Sequence, residues 1–411
     1  MLNQSQKPVV LIFPFDLLSH YSRCIQLAKS IQDKYEIYFN SSRKYNNFIM
    51  NAGFKHFDCE SFDPDIVLED SRKFEFSWLN YDNLKRVYLC QVKNIQKFKP
   101  AAVLGDTAPT LKMAAEFTKT KHISLMNGYM SKYYAFTRRI SKEHPAAKFQ
   151  NKLPEKLFEY MTKTGEKAAF HIIQRSFNKL RKENNLPRRK MYLDELEGDI
   201  NFICDDQEMF PQKNLPANYK FIGPLYYSSD KMEPEIQKFL DNDRPSILAN
   251  IGSSGELKRF SFLNNEYFKD FNIIVTGEMD TGLNGKNVIN NKFINNAAIL
   301  DKIDLVLCHG GNGTIYQSLA FGVPLICATS IFEQEWNAQR VQDLHLGICI
   351  DDVDDEKEKI EIVKEWISKK ETVKFKEYKN KIDVTKSIEN FKKFWNDDLL
   401  VNNYESIEVN I

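Results

Sequence analysis

Residues 303–350 read IDLVLCHGGNGTIYQSLAFGVPLICATSIFEQEWNAQRVQDLHLGICI, and this alternation of apolar runs with glycine-marked turns admits few folds. Residues 303–308 form an apolar run of buried-strand length. The run enters His309-Gly310-Gly311-Asn312-Gly313-Thr314, which is too glycine-rich for the interior of a helix or strand. The pattern then predicts a helix over 314–321, with Gly322 placed as a left-handed C-terminal cap. A strand over 324–328 follows, then a loop over 330–333. A second helix is expected over 334–345, ended by Gly347, and a strand over 348–350. Strand, loop and helix repeating at this spacing require parallel strands joined by crossover helices.

The glycine loop carries the chemistry. A glycine-rich turn between strand and helix lets the backbone approach a ligand and aims unpaired N–H groups and the positive helix end at it. That favours a phosphate or diphosphate, and His309 at the strand's carboxyl end adds a side-chain donor. The plainer alternative is a tight strand–helix turn with no ligand.

The same stretch resembles the donor-binding signature of nucleotide-sugar glycosyltransferases of the UDP-glycosyltransferase type, which have the two-domain GT-B architecture. The residues that carry the resemblance are His309-Gly310-Gly311-Asn312-Gly313-Thr314, Gln317-Ser318-Leu319, Gly322-Val323-Pro324, Glu333-Gln334 and Asn337-Ala338. Two positions depart from that pattern: Gln317 stands where Glu is usual, and Glu333 where Asp is usual. The resemblance implies an α/β chain of two Rossmann-like domains facing a central cleft. It implies a first, acceptor-binding domain over 1–228, a nucleotide-sugar-binding domain over 240–385, and a C-terminal helix over 386–400 returning to the first domain. Donor contacts are expected from Gly252, Ser253, His309, Gly311, Asn312, Gly313 and Thr314, from Gln317 at the ribose, and from Glu333 and Gln334 at the sugar hydroxyls.

The amino-terminal half opens with a strand over 8–15 and a helix from His20 to about Gln32, with Ser19 placed as its N-cap. The strand, loop and apolar helix resemble the family's opening. There the loop carries Gly-His; here Leu18-Ser19-His20 keeps the His alone. The resemblance makes His20 the catalytic base; by itself, such a His equally suits a capping or surface role. A strand over 101–104 ends in Gly105-Asp106. The family has an Asp in this setting that bonds the base and orients its imidazole, a role shared with hydrolase triads. The alternative is an Asp that caps the next helix. Residues 252–255 (Gly-Ser-Ser-Gly) are similar to a family loop facing the cleft. Residues 293–296 (Phe-Ile-Asn-Asn) lack the proline usual near the uracil.

A chain of 411 residues with 42% hydrophobic content suits two cored domains. No apolar run reaches membrane-spanning length, and the first residues lack a signal-peptide layout. Seven scattered cysteines without a Cys-x-x-Cys suggest neither a disulfide framework nor a zinc site. The expected location is the cytoplasm. A net charge of +1 argues against a nucleic-acid partner. Residues 131–190 are the exception, with 16 Lys or Arg against 5 Asp or Glu, interleaved with aromatics. They are either solvated helical faces or a basic surface for an anionic membrane or acceptor. Ile388, Phe391, Phe394 and Trp395 form the apolar stripe of a docked terminal helix.

The expected function is therefore inverting, metal-independent transfer of a hexose from a UDP-sugar to a hydroxyl of a small apolar or lipid acceptor. The UDP-sugar is a co-substrate, and no cofactor is expected. The alternatives are a nucleotide-sugar epimerase of the same architecture and a non-catalytic sugar-nucleotide-binding protein. A nicotinamide site fits less well, because the third glycine of its fingerprint is missing: Tyr316 stands there.

Overall fold

The computed structural model describes residues 7–150, 152–228, 232–252, 257–277 and 282–400. Two parallel sheets organise it. The first holds β1 (Val9–Pro14), β2 (Glu36–Asn40), β3 (Lys55–Phe57), β4 (Ala102–Asp106), β5 (Lys121–Met126), β6 (Ile200–Ile203) and β7 (Tyr219–Phe221), in the order β3-β2-β1-β4-β5-β6-β7. Its crossovers include α1 (Leu18–Ile31), α2 (Asn46–Asn51), α3 (Pro64–Lys73), α4 (Tyr81–Phe98), α5 (Leu111–Thr118) and α6 (Glu155–Glu183). After α7 (Pro234–Phe239) comes the second sheet: β8 (Ser246–Asn250), β9 (Asn272–Thr276), β10 (Val288–Asn291), β11 (Leu305–Cys308), β12 (Leu325–Cys327) and β13 (Gly347–Cys349), in the order β10-β9-β8-β11-β12-β13. Helices α8 (Asn312–Ala320), α9 (Phe332–Asp343), α10 (Glu356–Ile367), α11 (Val373–Lys381) and α12 (Val384–Leu400) complete the described residues.

Strands covered by helices on both faces are mostly apolar, and β4, β8 and β9 are buried at every residue. Each sheet has a point where strand order reverses, between β1 and β4 in the first and between β8 and β11 in the second. Open α/β sheets bind ligands in the crevice outside the carboxyl ends of the strands at such a point. Pro14 pairs with Asp106 across the first switch point, and Asn250 with Cys308 across the second.

Helix α12 carries the chain back to the first sheet. Phe391 and Trp395 are fully buried there, Phe391 against Phe202 and Trp395 against Tyr35, at ring-centroid separations of 5.3 and 5.9 Å. Asn390 donates to the Ile222 carbonyl at 3.1 Å, which pins the returning helix to the end of the first sheet.

Several local expectations need correction. Ser19 is not the cap of α1. The helix starts at Leu18 from an extended Leu17 that makes no side-chain cap bond, which leaves Ser19 inside the first turn. Gly322 is left-handed, as expected, at φ +69°. Gly347 does not end α9. That reversal is made by His345 at φ +52°, and Gly347 belongs to β13, where a Cβ would collide with the Leu325 carbonyl of β12. Residues 234–239, which fall between the two expected domains, form α7. Helix α8 begins at Asn312, inside the glycine loop.

Candidate active site

At the first switch point the loop after β1 lies against the end of β4, with Phe15 N–H donating to the Asp106 carbonyl at 3.0 Å. His20 lies in the first turn of α1, and its Nδ1 is 2.9 Å from Asp106 Oδ1. The imidazole packs edge-on to Phe15, with centroids 5.8 Å apart, and keeps 12% of its surface open. Asp106 is fully buried.

Asp106 has a second partner that sequence reasoning missed. Arg23, one turn beyond His20 on α1, grips the carboxylate with its planar fork, Nε at 2.5 Å from Oδ2 and Nη2 on Oδ1. Burial works against the charge on Asp106. The Arg23 guanidinium, and then His20, more than offset it and hold the carboxyl well below the usual carboxylate range. Arg23 Nη1 donates to Asn127 Oδ1 at 2.9 Å, and Asn127 Nδ2 donates to Asp205 Oδ2 at 3.3 Å. Asp205 is also held by Gly128 N–H at 2.6 Å and by Asn312 Nδ2 at 2.8 Å. A continuous web therefore runs from His20 to the first residue of α8 in the other domain. Burial pushes the Asp205 carboxyl up to about 6.

At the second switch point β11 ends and the chain turns at Gly310, φ +83°, whose carbonyl accepts from Asn337 Nδ2 at 3.0 Å. Gly311 caps α8 with extended backbone and no side-chain bond, so this helix end has no capping side chain on its first amides. The His309 ring is held between Gly252 and Gly311, and a Cβ at either glycine would overlap it. Burial pushes its imidazole down to about 4, so the ring is neutral near pH 7. Its Nδ1 lies 3.5 Å from the Asn250 carbonyl. Asn250, the last residue of β8, ties the two loops together: its Oδ1 accepts from Gly252 N–H at 3.0 Å and its Nδ2 donates to Thr314 Oγ1 at 3.2 Å. A Cβ on Gly313 would meet open space. Ser253 lies outside the described residues.

The remaining expected donor contacts have protein partners. Gln317 is buried and donates to the Tyr227 carbonyl at 2.6 Å. Glu333, in the first turn of α9, accepts from the Tyr129 hydroxyl of the first domain. Gln334 Oε1 accepts from Ser330 N–H at 2.8 Å. Near Gln317, Met232, Glu233, Pro234, Phe293, Ile294, Asn295 and Ile299 line a cavity of about 290 Å³, and Phe293 meets Tyr227 with centroids 6.2 Å apart.

The two carboxyl edges meet through Asn312–Asp205, through the Tyr316 hydroxyl accepting from Asp206 N–H at 2.9 Å, and through Trp336 Nε1 donating to the Arg139 carbonyl at 2.8 Å. The expected residues thus fall into two groups, His20 with Asp106 on one sheet and the glycine loops with His309 on the other. No feature of the sequence marked Arg23, Asn127, Asp205 or Asn250, which matter through contacts made only in the fold.

Comparison with known proteins agrees with this architecture. Residues 261–394 match the glycosyltransferase family 28 C-terminal domain. A "PGL/p-HBAD biosynthesis glycosyltransferase" of Mycobacterium tuberculosis is 26% identical over 340 residues, covering 81% of this chain and 78% of that protein. The crystal structure of the glycotransferase of kitacinnamycin superposes with a TM-score of 0.70 at 15% identity, covering 96% of this chain and all of that one. A Streptomyces glycosyltransferase, SsfS6, solved with thymidine diphosphate, superposes with a TM-score of 0.62 at 13% identity, covering 95% of this chain and 99% of that one. At such identities the structures establish the fold alone. Two parallel-sheet domains, the matched second domain and the mycobacterial relative together make this chain a glycosyltransferase of the GT-B architecture.

Proposed function

We propose that the protein moves a hexose from a nucleoside-diphosphate sugar, UDP-linked in the first instance, to a hydroxyl of an apolar small molecule or lipid, with inversion and without a metal. One observation carries this reading: the His20–Asp106 pair and the uncapped end of α8 beside His309 lie at the switch points of two sheets whose carboxyl edges touch.

In this reading Asp106 accepts the hydrogen bond of His20 Nδ1–H, which leaves the Nε2 lone pair to receive the proton of the acceptor hydroxyl. The hydroxyl oxygen then attacks the anomeric carbon on the face opposite the diphosphate, and the configuration inverts. Charge grows on the leaving diphosphate as the bond breaks. The N–H groups over Gly311, Asn312, Gly313 and Thr314 meet that charge in a preorganised site. His309 adds a donor once its proton leaves Nδ1, which faces the Asn250 carbonyl at 3.5 Å, for Nε2. Glu333 and Gln334 hold the sugar hydroxyls once Tyr129 and Ser330 yield them. Gln317 serves the ribose, and the cavity beside it at Phe293 suits the base. Gly252 closes the cleft from the β8 side.

The test is a thermal-shift screen of UDP- and dTDP-sugars, followed by an acceptor screen read by mass shift. Stabilisation by UDP is the expected result. Because a structure of this fold was solved with thymidine diphosphate, dTDP is the second reading, and stabilisation by dTDP alone would replace UDP with it. Activity is expected to survive EDTA; loss restored by Mg²⁺ or Mn²⁺ would overturn the metal-independent mechanism. The proposed setting is the cytoplasm, with peripheral contact to an anionic membrane through residues 131–190.

A further inference from the structure

We infer that Arg23 is a positioning residue for the base: its fork clamps both oxygens of Asp106, so that Oδ1 accepts the hydrogen bond of His20 Nδ1–H and Nε2 is left bare toward the acceptor. This inference rests on the reading of His20 as the base.

The geometry offers His20 two states. With the proton on Nδ1, the ring donates to Asp106 Oδ1 at 2.9 Å. With the proton on Nε2, Nδ1 instead accepts from Arg23 Nη2, which lies 3.2 Å away, and no lone pair faces the acceptor. Only the first state can accept a proton at Nε2. A carboxylate free to rotate would serve either state. Here Nε and Nη2 of Arg23 take one oxygen each and hold Asp106 fixed. Nη1 is itself anchored on Asn127 Oδ1 and 3.3 Å from Cys204 Sγ, so the fork has little freedom to slide toward His20.

The other groups around Asp106 hold it less closely. Cys24 lies 3.7 Å from Asp106 Oδ2, and burial holds the Cys24 and Cys204 thiols protonated. Thr107 Oγ1 is 3.5 Å from Asp106 Oδ1, Phe15 supplies only a ring edge, and Asp205 is separated from Arg23 by Asn127.

The experiment is a pH titration of the intact protein followed by ¹⁵N NMR of the imidazole nitrogens, with His20 identified among the seven histidines by its loss in His20→Ala. In the wild type, the neutral His20 ring is expected to carry its proton on Nδ1. In Arg23→Gln, the share of neutral rings that carry the proton on Nδ1 is expected to fall, because Asp106 is no longer held fixed. Arg23→Lys should lose roughly tenfold or more in transfer rate, because a point charge does not hold two oxygens. A neutral wild-type ring protonated on Nε2 overturns the proposal, even if neither variant folds. So does a folded Arg23→Gln whose neutral ring keeps the wild-type share of Nδ1 protonation. The reading of His20 as base fails separately, if His20→Ala still transfers sugar, and the NMR measurement needs neither acceptor nor turnover.

Discussion

Asp106 is the counter-ion of a buried arginine as well as the partner of His20: Arg23 Nε lies 2.5 Å from its Oδ2, closer than the 2.9 Å between His20 Nδ1 and its Oδ1. Substitutions at the two residues of the proposed dyad therefore differ in kind. His20→Ala removes a ring that is partly open to solvent and leaves the Arg23–Asp106 pair intact. It is expected to lower the transfer rate by roughly 10²–10⁴-fold, with nucleotide affinity and melting temperature close to wild type. Asp106→Asn leaves a buried guanidinium without its anion. Breaking a buried pair costs about 3–5 kcal/mol, so the melting temperature should fall by roughly 6–12 °C or more, along with activity. Calorimetric melting of both variants decides this. An Asp106→Asn protein as stable as His20→Ala would mean that the Arg23 pair carries no stability.

His309 is held by what its neighbours lack. Gly252 and Gly311 leave room for the ring, and Gly311→Ala would drive a Cβ into it. His309→Ala is expected to weaken UDP binding by removing a donor, and Gly311→Ala by displacing the same ring and the start of α8. Both should bind UDP at least tenfold more weakly than wild type, the loss of about 1.4 kcal/mol that one good hydrogen bond to a charged group represents. Titration calorimetry with UDP measures it. Unchanged affinity in both variants would remove this loop from the donor site.

Much of this site was legible in the sequence because its signals are local. Glycine, histidine and proline at a strand–turn–helix junction constrain the backbone within a few residues, so the second-domain loops and the crossover order could be read directly. His20 and Asp106 came within reach through a family resemblance. Arg23, Asn127 and Asp205 did not, because their significance arises from contacts 83, 104 and 107 residues apart in the chain. Cap assignments failed where tertiary packing overrode the local rule. Gly347 looked like a helix terminator, yet its small size serves the approach of β13 to β12. Charge counting over 131–190 was misleading in part. Arg138 pairs with Glu166, Arg181 with Glu195 and Glu116, and Arg189 with Glu116, and the first two arginines are buried.

Asp205 gives the domain contact a pH dependence. Its carboxyl is raised by burial from 3.8 to about 6, so the folded protein holds a proton there that the unfolded chain has lost. For a carboxyl raised on folding, stability is fuller at low pH and is lost as pH rises through the folded value. Asp205→Asn does not ionise and keeps an acceptor for Asn312 or Gly128. Its stability relative to wild type is therefore expected to grow by on the order of 2 kcal/mol between pH 4.5 and pH 7.5. Melting temperatures of both proteins across that range test it, and parallel curves would show that Asp205 stays ionised in the fold.

The final prediction concerns α6. Setting aside the arginines in ion pairs, its amino-terminal half exposes Leu157, Tyr160 and Met161, and Ile172 follows four turns on from Leu157, beside exposed Lys156, Lys163 and Lys167. Spacings of three, four and eleven residues keep the apolar side chains on one side of the helix, with the lysines along its border. Such a strip suits a helix lying in the headgroup region, its apolar side chains immersed and its lysines against anionic lipid. We therefore expect the protein to co-sediment with phosphatidylglycerol-containing vesicles at low salt and much less at 0.5 M NaCl, where screening shortens the reach of each charge. Replacing Lys156, Lys163 and Lys167 by Gln should weaken partitioning by roughly 100-fold, at about 1 kcal/mol per basic residue near the surface. UDP affinity should not change, because none of the three contacts the glycine loops. Tyr160→Ser should weaken binding to the vesicles without altering its salt dependence, which separates the apolar from the ionic part. If the wild type stays in the supernatant with anionic and neutral vesicles alike, the strip is a solvated face, and a soluble acceptor becomes the better choice for the first screen.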